Sequence, residues 1–299
     1  MKKPALICIS GPTGVGKTAV SLQLARRHNC PIISSDSRQM YKEMNIGVGK
    51  PTEEELKEIT HYFIGQISVE TRYSAGDFER EALALLDTLF KEHNVVILIG
   101  GTGLYNKAVL EGLDDFPEVN KEDLSMDYNA LSIEKLQALL QEKDPTFYEK
   151  VDRQNSRRII RALEVIDVSG ASYSSFLGQQ KPERPFKILK IRLDLPRGTL
   201  YNRINRRVDK MVKAGLVEEV RSLLPFKHFR ALQSVGYQEL FPYFDGEIDL
   251  AEAIEKIKIH SRRYAKRQNT WLKKYFAKES MDPNNESSIF ERVENFLQS

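Results

Sequence analysis

Cysteine is nearly absent from this 299-residue chain, which has only Cys8 and Cys30, both in apolar stretches. That scarcity excludes a disulfide-stapled scaffold and suits a reducing cytosol. Long apolar runs are missing too: the longest, Val95-Val96-Ile97-Leu98-Ile99, is far short of the roughly 20 residues that span a bilayer. Only seven residues separate Lys3 from Gly11-Pro12, which speaks against a secretory leader. A cytoplasmic protein with no membrane partner is therefore expected. The five histidines, at 28, 61, 93, 228 and 260, form no ligand-spaced cluster, so a zinc held by the protein is not expected. Net charge is scarce as well, at +3.

What is present is a 41% hydrophobic content, enough for a sizeable core and against disorder. The length suits two domains, or one large domain with an insertion. The small net charge is a cancellation. Residues 1–113 carry 13 basic and 13 acidic side chains, 114–150 carry 4 and 10, and 151–299 carry 28 and 19. A strongly basic C-terminal half suggests a polyanion partner, the alternative being a solvated helical face.

Along the chain, an apolar run over 4–10 leads into a glycine-rich turn and a helical pattern over 17–28. A second run over 31–34 ends just before Asp36, and a third candidate strand covers 62–67. A helical pattern over 76–90 precedes the strand 95–99. Strands alternating with helices indicate a parallel sheet covered on both faces, with the ligand crevice at the carboxyl ends of the strands. The turn 11–18, Asp36 and Gly100-Gly101-Thr102 should therefore converge. Residues 114–186 open on an acidic stretch and continue with helical patterns over 133–142 and 155–168, with no strand-like run. They are read as a helical insertion. A strand over 187–193 returns to the sheet, and helices are predicted over 199–214, 250–275 and near 288–297. The fold class is thus α/β, a P-loop NTPase-like parallel-sheet core (1–113 and 187–299) with an α-helical insertion domain (114–186).

Gly11-Pro12-Thr13-Gly14-Val15-Gly16-Lys17-Thr18 fits the phosphate-loop pattern in strand–helix context. Glycines let successive amides turn inward at a helix N-terminus. Lys17 adds a point charge, and the Thr18 hydroxyl suits Mg²⁺. Nucleotide-binding, including ATP-binding, loops have this form, and an incidental glycine turn is the alternative. The hydrophobic strand ending in a Mg²⁺-holding acid is missing, because 95–99 runs into Gly100-Gly101-Thr102. This makes simple ATP hydrolysis a poor reading. Asp194 is a possible substitute for that acid, and Asp36 is the prominent carboxylate near the loop.

Further along, Ser35-Asp36-Ser37-Arg38-Gln39-Met40-Tyr41-Lys42, Ile46-Gly47-Val48-Gly49-Lys50-Pro51, Gly100-Gly101-Thr102-Gly103-Leu104-Tyr105, Arg161-Ala162-Leu163-Glu164-Val165, Val235-Gly236-Tyr237 and Lys266-Arg267-Gln268-Asn269-Thr270-Trp271-Leu272 follow in order. Together these blocks resemble the tRNA dimethylallyltransferase (tRNA isopentenyltransferase) family, bacterial type. The resemblance implies transfer of a dimethylallyl group from dimethylallyl diphosphate to the exocyclic amine of the adenosine just 3′ of the anticodon, releasing diphosphate. It also implies Mg²⁺, an insertion gripping the anticodon stem-loop, and a P-loop (Gly11, Thr13, Gly14, Val15, Gly16, Lys17, Thr18) that holds the donor's diphosphate rather than ATP. The acidic stretch 114–127 matches no motif of the family. No cysteine lies beyond Cys30, so the zinc finger of the family's eukaryotic members is not expected in these residues.

The reaction needs a group to take the amine proton and positive charge for the departing diphosphate. Asp36 fits the first role, a helix cap or base-orienting group being the alternative. For the second, Arg203 and Arg207 sit at i and i+4, where like charges repel unless an anion lies between them. The resemblance makes Arg207 the diphosphate-contacting arginine. Within 256–278 there are nine Lys or Arg and no acid. Arg263, Lys266, Arg267, Thr270, Lys273 and Lys274 share one helical arc, with Tyr264, Trp271 and Tyr275 on the core side. RNA backbone contact is expected there, and steep salt dependence with it. Arg153, Arg157, Arg158 and Arg161 form a second basic group, of which the resemblance makes Arg157, Arg158 and Arg161 tRNA-contacting together with Gln233, Gly236, Tyr237 and Gln238. Loop bases are read by amides and by stacking, for which Arg38, Gln39, Gln233, Gln238 and Tyr237 have the chemistry, although Tyr237 could equally be core. Asp36, Ser37, Thr102, Lys266, Arg267, Gln268, Thr270 and Lys273 complete the expected tRNA surface, with Thr102 alternatively a helix cap. The target base should be extruded into the site, and the expected assembly is a monomer. Rival readings are a P-loop kinase, a free-nucleotide isopentenyltransferase and a non-catalytic RNA-binding module.

Overall fold

The computed structural model describes residues 3–179 and 181–299. The chain divides into two compact units, one made of Met1–Glu111 and Arg184–Ser299, the other of Gly112–Glu183. The excursion therefore begins and ends two to three residues earlier than the 114–186 expected.

In the larger unit, β1 (Ala5–Ser10), β2 (Ile32–Ser34), β3 (His61–Tyr62), β4 (Val95–Gly100) and β5 (Lys187–Arg192) form one sheet in the order β3-β2-β4-β1-β5. Every pairing is parallel. The connections carry α1 (Lys17–His28), α2 (Glu53–Glu58), α3 (Ala75–Leu89) and α4 (Gly103–Glu111). β1 is buried along its whole length, which is why it reads as an uninterrupted apolar run. Alternation sends Ile7 and Ile9 to one face, packed with Val20, Leu24, Leu200, Ile204 and Ile289, and Leu6 and Cys8 to the other, packed with Phe78, Leu86, Val109 and Leu272. Both faces are thus covered, as the P-loop NTPase-like α/β class requires. β3 is only two residues long, not the 62–67 expected: beyond Tyr62 the chain turns at Phe63, whose φ is +62°, and a single bridge from Tyr41 to Ile67 is all that follows.

After β5 come α8 (Arg197–Lys213), α9 (Leu216–Ser222), α10 (Phe241–Phe244), α11 (Leu250–Tyr275) and α12 (Glu286–Gln298). A third cluster, including Leu216, Val220, Leu232, Tyr237, Leu240 and Ile257, packs the first part of α11 against α9 and α10. Asp249 caps α11 by accepting from the Glu252 amide at 2.8 Å. Among the described residues no helix is long and apolar enough to cross a membrane.

Numbered in chain order ahead of β5, the smaller unit holds α5 (Ile133–Lys143), α6 (Pro145–Tyr148) and α7 (Ser156–Ser169), and no strand among its described residues. It has its own core, including Tyr128, Leu136, Leu140, Ile159, Leu163 and Ile166. Part of its acidic stretch is consumed locally: Asp114 pairs with Lys181 at 3.4 Å and accepts the Gly178 amide, and Asp127 caps the turn at Asn129.

Candidate active site

Three strands end together because a buried polar knot holds them. Ser10 Oγ donates to the Gly100 carbonyl at 2.8 Å, and the Asn106 amide donates to Ser10 Oγ at 3.0 Å. Ser35 Oγ donates to Asn106 Oδ1. Asn106 and Ser35 are fully buried, so each polar group must find a protein partner. The knot fixes the segments that follow β1, β2 and β4 around one cavity of about 580 Å³.

The loop after β1 supplies Thr13, Gly14, Gly16, Lys17 and Thr18 to the lining, while Gly11 and Val15 are buried beneath it. Gly14 and Gly16 have φ of +78° and +112°, a region that glycine enters without strain. No side chain caps α1, which leaves the first amides of the helix free for an anion. Lys17 Nζ donates to the Gly11 and Pro12 carbonyls at 2.9 and 3.1 Å. Burial brings its pKa down to about 8, Asp36 opposing the shift and Arg207 adding to it. From α8, Arg207 reaches in, donating to Thr13 Oγ1 and to the Val48 carbonyl. Burial lowers its pKa too, against the pull of Asp36. Neither cation has a carboxylate within ion-pairing distance among the described residues.

Asp36 Oδ1 accepts the Arg38 amide at 2.9 Å, and its other oxygen has no partner among the described residues. Ser37, Arg38 and Gln39 continue the wall, with Gln39 donating to the Gly49 carbonyl at 2.8 Å. Opposite lie Gln233, Gly236 and Gln238 and, from α11, Tyr264, Arg267 and Gln268. The Tyr264 phenol is pushed up to about 12 by burial and by Asp36, so it stays neutral at physiological pH. Val48, Ile204, Val208, Met211, Val235 and Ile257 give the cavity an apolar side. Among the described residues there is no cluster of three His, Cys, Asp or Glu that could hold a metal. The oxygen donors of the loop's side chains are the hydroxyls of Thr13, engaged by Arg207, and Thr18, and the carboxylate beside them is Asp36. Such a sparse oxygen set suits Mg²⁺ shared with substrate phosphates.

The chain matches the IPP transferase family over residues 39–275. The chain belongs to this family. Its relatives include "tRNA dimethylallyltransferase 1" of Bacteroides thetaiotaomicron, 47% identical over 291 residues, which cover 96% of this chain and 94% of the relative. Among solved structures, the full-length tRNA isopentenylpyrophosphate transferase of Bacillus halodurans is 34% identical with a TM-score of 0.70, covering 99% of this chain and 97% of that one. A eukaryotic dimethylallyltransferase, captured acting on tRNA, is 27% identical with a TM-score of 0.80, covering 91% of this chain and 70% of that one.

Within this IPP transferase, several expected placements change. Tyr237 is fully buried with its hydroxyl donating to Glu219 at 2.6 Å, and burial together with that carboxylate pushes the phenol up. It is a core residue, not an RNA-facing one. Gln268 is 8% exposed and points inward, accepting the Thr13 amide at 2.9 Å and donating to the Gly101 carbonyl at 3.0 Å. It therefore does not belong to the outer basic surface. Arg203 does not line the cavity: it donates to the Val15 carbonyl at 2.9 Å and to Asn284, so it braces the loop from outside. Arg203 and Arg207 thus engage the same loop at different residues, Val15 and Thr13. Asp194 is engaged by Asn269, which donates to both its oxygens at 2.9 Å, and does not line the cavity. Thr102 also lies outside the lining but accepts the Ser37 amide at 3.3 Å. Tyr264 faces the cavity and Tyr275 is exposed, where both were expected to pack in the core.

On α11, Lys256, Lys258 and Arg262 are paired with Glu252, Asp209 and Glu255. Arg263, Lys266 and Lys273 are exposed without an ionic partner among the described residues, Arg267 lies over the Tyr264 ring, and Thr270 bonds back to the Lys266 carbonyl. In the smaller unit, Arg157 and Arg158 are exposed on α7, and Arg161 approaches Glu164.

Two carboxylates that sequence reasoning passed over shape the far wall. Glu219 accepts the amides of Asn45, Ile46 and Gly47 at 3.1, 2.8 and 3.1 Å, as well as the Tyr237 hydroxyl. Glu239, buried, accepts the Gly236 amide at 2.8 Å and meets His260 at 2.8 Å. An acid within a short surface-like helix gives no local signal of such work.

Proposed function

We propose that this chain is a tRNA dimethylallyltransferase that moves a dimethylallyl group from dimethylallyl diphosphate to the exocyclic amine of the adenosine just 3′ of the anticodon. The observation that carries the reading is the composition of one cavity: free helix amides with Lys17 and Arg207, the open oxygen of Asp36, and an apolar side of Val48, Ile204, Val208, Met211, Val235 and Ile257. A donor with a diphosphate at one end and five carbons at the other matches the first and third of these, and an amine to be deprotonated matches the second.

In the reaction so read, the allylic carbon–oxygen bond breaks with its electron pair leaving on diphosphate. The amine nitrogen bonds to that carbon, and Asp36 takes the amine proton. Lys17, Arg207 and the loop amides hold the departing charge in a recess where electrostatic stabilisation is strong. Mg²⁺, which Thr18 and the diphosphate oxygens would hold, supplies further neutralisation of that charge when bound. Arg38, Gln39, Gln233, Gln238 and Tyr264 surround the place where an extruded base would sit, and Ser37 with Thr102 holds the turn beneath it. The exposed cations of α11, and Arg157, Arg158 and Arg161 on the helical unit, serve the RNA backbone.

The test offers the protein labelled dimethylallyl diphosphate and Mg²⁺ with unmodified tRNA or with AMP. Label entering tRNA at a single adenosine is expected. Label entering only AMP would establish a free-nucleotide enzyme instead, and no transfer would remove the reading. Asp36→Asn should lower the single-turnover rate about 10²–10⁴-fold, with binding of RNA and of inorganic diphosphate within a few-fold of wild type.

A further inference from the structure

The two glycines of Gly100-Gly101-Thr102-Gly103 that follow β4 are shaped by α11. A Cβ at Gly101 would collide with the Gln268 carboxamide, and one at Gly103 with the Trp271 ring. The block after β4 and the block on α11 are thus two halves of one joint. At its centre Gln268 spans from the Thr13 amide of the phosphate loop to the Gly101 carbonyl. Thr13 is also the residue that Arg207 engages through the hydroxyl. One turn of a helix therefore sets an amide of the anion-binding loop, and that same turn carries Lys266 and Arg267 outward.

We infer that Gln268 is a positioning residue that couples occupancy of the outer face of α11 by RNA to the affinity of the phosphate loop for diphosphate. The inference rests on the proposed RNA substrate. RNA phosphates that immobilise Lys266 and Arg267 fix this turn of the helix. The fixed turn holds the Gln268 carboxamide, and the carboxamide orders Thr13 and Gly101. A loop ordered in advance loses less conformational entropy when diphosphate enters, so the second ligand binds more tightly with no new contact to the first. By linkage, diphosphate raises RNA affinity by the same factor.

The experiment measures the dissociation constant of inorganic diphosphate, with Mg²⁺, in the absence and presence of saturating unmodified anticodon stem-loop RNA, for wild type, Gln268→Met and Gln268→Glu. Methionine keeps the bulk without either hydrogen bond; glutamate keeps an acceptor for the Thr13 amide only. Wild type should show a coupling factor of at least about fivefold, the lower end of ordinary allosteric couplings. In Gln268→Met the factor should fall to within twofold of unity, in Gln268→Glu it should be intermediate, and RNA affinity in the absence of diphosphate should stay close to wild type. A purely structural glutamine would lower stability without changing the ratio of the two dissociation constants. Coupling retained in Gln268→Met, or absent from wild type although both ligands bind, overturns the inference and leaves the functional reading intact. Failure of wild type to bind the stem-loop removes both. The reciprocal titration, RNA binding with and without diphosphate in wild type alone, must return the same factor and does not depend on either variant folding.

Discussion

Lys17 shows how much of a site's chemistry is set by what surrounds a residue. Its ammonium donates to two carbonyls of its own loop, yet burial outweighs those contacts and Asp36, bringing its pKa to about 8. A diphosphate beside it reverses the balance, since opposite charge at contact distance favours the protonated form. The sign follows: above about pH 8 the free site is largely neutral at Lys17, the bound site is charged, and binding takes up a proton. Calorimetry of inorganic diphosphate binding at pH 8.5 in buffers of different ionisation enthalpy should report uptake, and Lys17→Met should remove most of it. Affinity should also weaken as pH rises through that value. Release of protons, or no buffer dependence, would show that Lys17 is already held charged. The lysine itself was legible from its place in Gly11–Thr18. Its pKa was not, because it depends first on burial in the folded chain and then on Asp36 and Arg207, which lie 19 and 190 residues away.

Among elements, α11 was the most legible and the most instructive where it departed from expectation. A 26-residue helix with a period near 3.6 places its own boundaries, and Leu250–Tyr275 is found as expected. Over 256–278 the sequence has nine cations and no acid, but Lys256, Lys258 and Arg262 find acids at Glu252, Asp209 and Glu255. The usable surface is the second half, with Arg263, Lys266, Arg267 and Lys273. Replacing Lys266, Arg267 and Lys273 by glutamine should flatten the slope of log affinity for tRNA against log salt by about 2–3, since each released counterion contributes roughly 0.7–0.9. Replacing Lys258, already paired with Asp209 at 2.7 Å, should change the slope little. An equal effect per charge removed in the two variants would mean that only net charge matters. The inward placement of Tyr237, one of the two alternatives the sequence leaves open, and of Gln268 has a shared reason for not being legible. A polar-tipped side chain in a segment that touches the site looks outward on sequence alone, and only Glu219, Gly47, Thr13 and Gly101, all distant in the chain, show that these two turn inward. The two-residue β3 was hidden likewise, since an apolar run ending in the positive φ of Phe63 has the composition of a strand without its backbone.

At the scale of the whole molecule, the near-zero net charge is the sum of parts with different tasks. The neutral first segment holds the loop and Asp36, while the excess of cations falls in the segment that holds α7, α8 and α11. Division of the chain into two units has a physical basis as well as a compositional one. The helical unit owns a hydrophobic cluster, centred on Tyr128, Leu140, Ile159 and Leu163, that shares no member with the clusters flanking the sheet. Absence of a strand pattern over some seventy residues is the signal by which the sequence predicts a helical insertion over 114–186, and the compact unit found spans Gly112–Glu183. Separate cores imply separable stability. Leu163→Ala removes a fully buried side chain and should cost about 2–5 kcal/mol. That cost should be confined to Gly112–Glu183, because local openings follow cooperative units rather than the chain as a whole. Amide hydrogen exchange should accelerate across α5 and α7 while β1, β4 and α1 keep their protection. Inorganic diphosphate should still bind within twofold of wild type, while transfer to tRNA falls, because the arginines at 157, 158 and 161 stand on α7. Loss of protection in the sheet to the same degree would mean that the two clusters unfold as one.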